Sequence, residues 1–191
     1  DFVFPGAPFD VAGSFEAFFP LQQLVTAVRA CGKPIVHVVR AYLPDGSNAD
    51  LCRREMLRQG TALLHPYARG TDFPDALKPA GAPKLDWDAL MQGVFQPLGE
   101  KEWVMYKPRR GAFYHTELEK FLREKEVNTL LFAGCNFPNC PRASIYEASE
   151  RDFRLVLAAD AMSGLYEKGV QELKNIGVFV ENTGEIIKAM A

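Results

Sequence analysis

The sequence predicts an α/β fold: a mainly parallel, doubly wound sheet of about six strands, covered by helices in a three-layer α/β/α arrangement. The first observation is that short apolar runs of strand type alternate with amphipathic helical stretches along the chain. The second is that parallel strands need crossover connections, which are usually helices that pack on the sheet. Ligands of such folds bind at the carboxyl ends of the strands, so residues that follow predicted strands are the first candidates for a site.

Length and charge restrict the domain organisation and the partners. With 191 residues the chain is expected to form a single domain, residues 1–191. It has 22 basic and 24 acidic residues and a formal net charge of -2, so we expect small-molecule partners and neither nucleic acid nor a membrane surface. Four irregularly spaced cysteines favour a reducing compartment, which predicts a cytoplasmic protein.

Eleven elements are predicted from hydrophobic period and from start and stop residues. The pattern breaks between residues 43 and 100, a long excursion with many prolines and glycines and one helical stretch. Such an excursion is typical of a lid or of a subunit contact. The predicted strands are 33–39, 102–107, 128–134, 153–160 and 177–181, and the predicted helices are 20–31, 49–60, 116–126, 141–151, 166–176 and 183–190.

The segment "AGCNFPNCPRAS" at residues 133–144 carries the strongest chemical signal. Pro141 suits the first turn of a helix, because its missing N–H would have no partner there. This places Cys140 at a helix N-terminus, where the helix dipole and free N–H groups favour a thiolate. A sharp strand-to-helix turn would also project the side chain outward, as a nucleophile requires. Because Pro141 has no amide proton, any oxyanion hole must use N–H groups of residues 136–140.

Three other interpretations of this segment stay open on spacing alone. In the first, Cys140 is an inert buried thiol. Cys135, which lies at a strand end, is predicted to be a core residue. A Cys135–Cys140 disulfide is the second, although a reducing compartment disfavours it. A metal clip is the third, and it is disfavoured because the three histidines of the chain show no ligand spacing with the cysteines. We therefore expect no metal and no cofactor.

Basic residues follow two of the predicted strands. Lys107 ends the strand 102–107 and is followed by Arg109, while Arg40 ends the strand before the excursion. Together with Arg142, these arginines are candidates for bidentate binding of a substrate carboxylate. The competing interpretation of each is a solvated turn or a surface salt bridge.

Three segments carry a resemblance to a known family. They are "DFVFPGAP" at the start, "KPRRGAFYHTELEKFL" from residue 107, and "LLFAGCNFPNCPRASIYEASERDFRLVLAADAMS" from residue 130. In their order and register they resemble the isochorismatase-like cysteine hydrolase superfamily, which includes nicotinamidases, N-carbamoylsarcosine amidohydrolase, ureidoacrylate amidohydrolase and biuret hydrolase. The resemblance extends over nearly the whole chain.

The resemblance implies roles for individual residues. It makes Cys140 the nucleophile and Lys107 the cation that supports the thiolate and the developing charge. It assigns the oxyanion hole to the N–H groups of Asn136 and Cys140, with a cis peptide bond between Cys135 and Asn136. The third catalytic member, an Asp, is expected four residues before Asp1 and is absent from this sequence, so we expect a first strand and its Asp upstream. The family also implies a homodimer or a homotetramer.

Two departures from the family pattern refine the expected activity. Phe137 stands where the family often has Thr, and we expect it to contribute to an unusual substrate pocket. No Asp-x-His motif occurs between residues 40 and 70, which disfavours a metal-dependent nicotinamidase. The cysteine itself points to C–N hydrolysis rather than to vinyl ether cleavage. The expected function is cysteine-dependent hydrolysis of a small amide or ureido compound through a thioester; the alternative is a non-catalytic or redox-sensing, oligomeric binding protein.

Overall fold

The helices and strands are described for residues 2–60 and 64–190 of a computed structural model, and Asp1 lies outside this range. The predicted α/β class is confirmed. In chain order the elements are α1 Ser14–Ala30, β1 Ile35–Val39, α2 Arg54–Arg58, α3 Trp87–Met91, β2 Gln96–Gly99, β3 Glu102–Tyr106, α4 Leu118–Glu124, β4 Thr129–Gly134, α5 Cys140–Ser149, β5 Arg154–Met162, α6 Glu167–Asn175, β6 Phe179–Glu181 and α7 Thr183–Met190.

The chain divides into two compact units. Unit 1 comprises Asp1–Pro34 and Arg110–Ala191, and unit 2 comprises Ile35–Arg109. Each unit contains one three-stranded sheet, so the six strands are divided between two sheets. Among the described residues, β1 and β4 each pair with a strand on one side only.

Unit 1 contains a parallel sheet with the order β4-β5-β6. One face of this sheet packs against α1 and α7 through a cluster that includes Leu24, Ala158, Ala161 and Ile186. Helix α5 contacts the same two strands, β4 and β5. Side chains alternate across a strand, so Leu155 and Leu157, both buried, point to the face opposite Ala158. The central strand β5 is therefore buried on both faces, as expected within a parallel sheet.

Helix α1 begins six residues earlier than the sequence predicted. Pro20 lies inside the helix instead of at its first turn. The buried positions Ser14, Ala17, Phe18 and Leu24 show why, because their spacing continues the helical period upstream of the proline. Gly13 precedes the helix in a left-handed conformation with φ 79°, which glycine adopts without steric cost.

Unit 2 contains a mixed sheet with the order β1-β3-β2. Strands β1 and β3 are parallel, and β2 is antiparallel to β3, separated from it by a tight turn. Helix α3 packs on β3 through a core in which Trp87, Leu90 and Val104 are almost fully buried. The sequence prediction missed both α3 and β2, which are short elements near the end of the excursion.

None of the helices within residues 2–60 and 64–190 combines the length and the apolar character needed to cross a bilayer.

Candidate active site

The segment between β4 and α5 forms a turn that is docked on the carboxyl end of β5. Ser163, directly after β5, donates its N–H to the carbonyl of Gly134 at 3.0 Å. The N–H of Phe137 donates in return to the carbonyl of Ser163 at 2.8 Å. Gly134 has φ 119°, a conformation that favours glycine. The end of β5 thus fixes both the start and the middle of the cysteine turn.

The turn itself is closed by local contacts. The peptide bond between Cys135 and Asn136 is cis. Asn139 donates its backbone N–H to the carbonyl of Asn136 at 3.1 Å, and its side-chain amide donates to the Asn136 side-chain oxygen at 3.0 Å. These contacts hold the four residues between the two cysteines in one conformation.

Cys140 is the first residue of α5 and is partly exposed. In the first turn of this helix, Arg142 donates its N–H to the carbonyl of Phe137 and Ala143 donates to that of Asn139. Pro141 has no N–H to donate. Within residues 2–60 and 64–190, no acceptor binds the N–H of Asn136 or that of Cys140. The turn therefore presents a thiol together with two backbone donors that have no acceptor in the described part of the chain.

Cys135 lies beside a pair of buried serines. The hydroxyl of Ser14, at the start of α1, donates to the hydroxyl of Ser163 at 3.0 Å. Burial raises the pKa of the Cys135 thiol, the nearby Cys140 raises it further, and a hydrogen bond with Ser14 opposes both effects. Both cysteines are free. The raised pKa indicates that Cys135 stays a neutral thiol at neutral pH, while its partial exposure shows that it is not a fully buried core residue as predicted.

Phe137 does not have the surroundings expected of a substrate contact. Its side chain is completely buried, with 0% exposure. Its ring lies edge-on to Tyr166 at a centroid distance of 5.4 Å and directly over Gly169 of α6. A ring without accessible surface offers no contact to a ligand. We therefore correct the expectation: Phe137 belongs to the core beneath the turn.

The guanidinium of Arg142 already has partners on two of its three nitrogens, which argues against a role as a carboxylate ligand. One terminal nitrogen, Nη2, pairs with Glu172 at 2.6 Å, and the other, Nη1, donates to the hydroxyl of Tyr166 at 2.6 Å. Both partners lie on or next to α6. These contacts favour the interpretation of Arg142 as a salt bridge between α5 and α6.

In unit 2, Lys107 and Arg40 follow the carboxyl ends of β3 and β1, as predicted. The backbone N–H of Lys107 donates to the carbonyl of Val39, which extends the strand pairing by one residue. The Lys107 side chain is buried, with 4% of the residue exposed, and its ammonium donates to the carbonyl of Arg109 at 2.7 Å. Arg40 pairs with Asp50 at 2.5 Å, and its guanidinium lies 4.7 Å from the ring centroid of Tyr42.

Asp50 organises the two arginines of unit 2. Burial alone would raise the pKa of this carboxyl, but the hydrogen bond and charge of Arg40, together with the charge of Arg109, hold it below its ordinary value. Arg109 approaches the second carboxylate oxygen with Nε at 3.7 Å. Sequence reasoning missed Asp50, because it lies in the excursion, where no periodic pattern indicates which residues face each other.

A pocket of about 560 Å³ adjoins this cluster within unit 2. Its wall includes the rings or chains of Leu43, Met91, Tyr106 and Pro108, with Asn48, Asp88 and Gln92 as the polar residues. Asn48 also binds the Tyr106 hydroxyl at 3.0 Å. Burial raises the pKa of Tyr106, while Asn48 and the charges of Arg40 and Arg109 oppose this shift. The Tyr106 hydroxyl in the pocket wall is therefore neutral at neutral pH.

Metal-ligating side chains are not grouped in the described structure. Within residues 2–60 and 64–190, no three His, Cys, Asp or Glu side chains are placed to hold a metal ion.

The fold of unit 1 and the thiol of its turn define an α/β protein with a cysteine at a strand-to-helix junction. An isochorismatase domain family model matches residues 1–188. The chain therefore belongs to the isochorismatase family.

Individual relatives indicate the chemistry found in this family. A protein of Arabidopsis thaliana named "Probable inactive nicotinamidase" is 26% identical, covering 93% of this chain and 85% of the relative. The ureidoacrylate amidohydrolase of Methylorubrum extorquens is 27% identical, covering 91% of this chain and 68% of the enzyme. The crystal structure of an isochorismatase family protein from Desulfovibrio vulgaris superimposes with a TM-score of 0.81 at 29% identity, covering 100% of this chain and 92% of that one. Amidohydrolases among the relatives support hydrolysis of an amide C–N bond.

Proposed function

We propose that this protein is a cysteine-dependent amidohydrolase that cleaves a C–N bond of a small amide, ureido or carbamoyl compound. Cys140 attacks the carbonyl carbon, ammonia or an amine leaves, and water hydrolyses the resulting thioester. The net reaction consumes one water and releases an acid and an amine. Lys107 supports the thiolate and the negative charge of the intermediate, as the family resemblance implies.

One observation carries this proposal: on the turn that bears Cys140, two N–H groups have no acceptor among residues 2–60 and 64–190. The first N–H groups of a helix lack intrahelical partners, but in α5 those of residues 142 and 143 are already used and Pro141 has none. The donors that remain, Asn136 and Cys140, are the ones an oxyanion needs. A preorganised donor of this kind typically contributes about 100- to 1,000-fold to the rate.

The proposal is tested by measuring ammonia release from a panel of primary amides and ureido compounds. We expect Cys140→Ala to lose essentially all activity, because no thioester can form. Cys135→Ala serves as the matched control and should retain most of it, since that thiol is neutral and lies outside the proposed chemistry. Lys107→Met should lower the rate strongly without removing the covalent step. Undiminished turnover by Cys140→Ala would exclude the mechanism.

A second candidate function is favoured by the name of the Arabidopsis relative, "Probable inactive nicotinamidase". In this candidate the chain is a non-catalytic or redox-sensing binding protein of the same fold. It predicts that no compound in the panel is hydrolysed and that Cys140 reacts with iodoacetamide no faster than the exposed Cys31 and Cys52. A fast, selective reaction at Cys140 without turnover would favour the redox-sensing form.

We further propose a cytoplasmic homodimer or homotetramer, with the 43–100 segment at the subunit contact. Light scattering of the purified full chain gives the oligomeric state directly. A strictly monomeric protein at micromolar concentration would contradict this part of the proposal and leave the hydrolase chemistry unaffected.

A further inference from the structure

The cysteine turn of unit 1 carries two free thiols, and its backbone hydrogen bonds bring them to neighbouring positions. The N–H of Asn139 donates to the carbonyl of Asn136 at 3.1 Å, which closes a β-turn over residues 136–139. Cys135 stands directly before this turn and Cys140 directly after it. The two ends of a β-turn lie within about 7 Å of each other, so the residues that flank it are close in space.

Two further considerations support a close approach of the two sulfurs. A disulfide accepts Cα separations of about 4.4–6.8 Å, which is of the same size as the closure of a β-turn. In addition, the charge of Cys140 raises the pKa of the Cys135 thiol, and an electrostatic effect of this kind weakens with distance. The turn therefore holds a pair of thiols that a small rearrangement joins.

Cys140 is also the thiol of the pair that is placed to react with a small oxidant. It is partly exposed, so its sulfur is accessible from solvent. The N–H groups of Asn136 and Cys140, which have no acceptor within residues 2–60 and 64–190, can stabilise an oxygen that develops negative charge. Such an oxygen forms when a thiolate attacks the O–O bond of a peroxide.

From this arrangement we infer that Cys135 is the resolving thiol of an oxidative switch, in which a hydroperoxide converts Cys140 into a reversible disulfide with Cys135. In the first step the thiolate of Cys140 attacks the terminal oxygen of the hydroperoxide ROOH, the O–O bond breaks, and RO⁻ leaves and takes up a proton as ROH. In the second step the deprotonated sulfur of Cys135 attacks the sulfur of the sulfenic acid, and the hydroxide that leaves becomes water with the proton released by Cys135. The two sulfurs are oxidised, the peroxide is reduced, and a dithiol reductant restores both thiols.

The environment of Cys135 suits attack within the turn. Its raised pKa leaves a small thiolate fraction at neutral pH, but attack on an adjacent sulfur needs no bimolecular encounter. The hydrogen bond with Ser14 favours the thiolate. Without a resolving thiol, the sulfenic acid of Cys140 is open to a second oxidation, to a sulfinic acid that ordinary thiols do not reduce. The switch thus protects Cys140 while it holds it inactive.

The effect on activity rests on the proposed function, whereas formation of the disulfide does not require turnover. The purified full chain is therefore treated with hydrogen peroxide and followed by both readouts. For the disulfide, the protein is alkylated without reduction and digested with trypsin, which leaves both cysteines in one peptide, residues 126–142. We expect wild type to give this peptide without alkylation and lighter by two hydrogens, to lose its amidase activity, and to regain most of it with dithiothreitol.

Cys135→Ala is the decisive variant, because it removes the resolving thiol and leaves Cys140 in place. We expect the dimedone adduct of the Cys140 sulfenic acid to be at least about 5-fold more abundant than in wild type during oxidation, and the activity recovered with dithiothreitol to be at least about 5-fold lower. The matched control replaces the exposed Cys31 and Cys52 by alanine. It should form the disulfide and recover as wild type does.

The two readouts separate this inference from the proposed amidase. The disulfide in a chain that hydrolyses no compound of the panel would support the switch and contradict the amidase. Equal loss and equal recovery of activity in wild type and Cys135→Ala would overturn the switch and leave the amidase in place. A disulfide that joins Cys140 to Cys31, to Cys52 or to a second chain, in place of Cys135, would overturn it as well.

Discussion

At the scale of single residues, the two cysteines of the turn are chemically distinct. Both are partly exposed, but Cys140 begins a helix, whereas Cys135 lies against Ser14 and has a raised pKa. The candidate nucleophile and a thiol with a raised pKa therefore belong to the same short turn. Pro141 placed Cys140 at a helix start in the sequence, but Ser14, which contacts Cys135, comes from a helix far away in the chain. No local pattern could have shown that contact.

We expect Cys135 to react slowly with iodoacetamide at about pH 7.5, because burial raises its pKa and keeps it protonated. Peptide-resolved mass spectrometry gives its rate, with the exposed Cys31 and Cys52 as internal controls. Its pH profile should lie above the ordinary value for a thiol and shift to lower pH in Cys140→Ser, since the charge of Cys140 is a second cause of the shift. A Cys135 rate equal to that of Cys31 at this pH would contradict the assignment.

The ionisation of Asp50 is expected to affect the stability of the protein in acid. Its pKa in the folded protein is lowered, so its contribution to stability is fully present above the unfolded value of about 3.9 and is lost as pH falls through the folded value. We expect Asp50→Asn to lower the free energy of unfolding by about 3 kcal/mol at about pH 7, because the buried Arg40 loses its partner.

Urea unfolding of wild type and Asp50→Asn at several pH values checks this. The difference between the two should be constant above about pH 4 and shrink below it. Asp75→Asn is the control, since that carboxylate is 95% exposed in its pair with Lys78 and should leave stability almost unchanged. A difference that grows on acidification would be incompatible with a lowered pKa for Asp50.

At the scale of elements, helix α6 packs closely against Phe137 of the cysteine turn because residue 169 is a glycine. A Cβ at Gly169 would lie 2.5 Å from the ring of Phe137, which is fully buried and cannot move without displacing the turn. We expect Gly169→Ala to lower the free energy of unfolding by about 1 kcal/mol, because overpacking costs about 1–3 kcal/mol and exceeds the gain in helix propensity of about 1 kcal/mol. It should also lower the amidase rate.

Gly184 in α7 provides the matched control, since a methyl group added there would meet no heavy atom of the described residues within 4 Å. Gly184→Ala should keep the full rate and be neutral or slightly stabilising in thermal unfolding. Adding Phe137→Leu to Gly169→Ala should recover part of the stability by making room. Equal effects of the two glycine substitutions would show that Phe137 does not transmit the strain.

Helices and strands with a strong hydrophobic period were predicted from the sequence, whereas short helices and strands were not. β1, β3, β4 and β5 were found because their apolar runs are bounded by clear breaks. α3 and β2 have five and four residues, and their formation depends on packing against β3 rather than on local preference. The same limit applies to the candidate residues: Cys140 and Lys107 stand in motifs that can be read from the sequence, whereas the contacts of Asp50 and Ser163 are tertiary.

At the scale of the whole molecule, family membership and mechanism rest on different observations. The family follows from a match over residues 1–188 and from a solved structure at 29% identity. The hydrolase proposal rests on the turn in unit 1 that bears Cys140.

The loop that follows Arg110 provides a natural probe of the cysteine helix. Its two amides at Ala112 and Phe113 donate to the hydroxyl of Ser144 and the carboxylate of Glu147, both on α5, at 3.0 and 2.9 Å. Deuterium uptake at these two positions therefore records how often α5 releases the loop. The rate at which the helix that carries Cys140 opens locally can therefore be measured in the native protein from the exchange of these two amides, which lie outside the proposed chemistry.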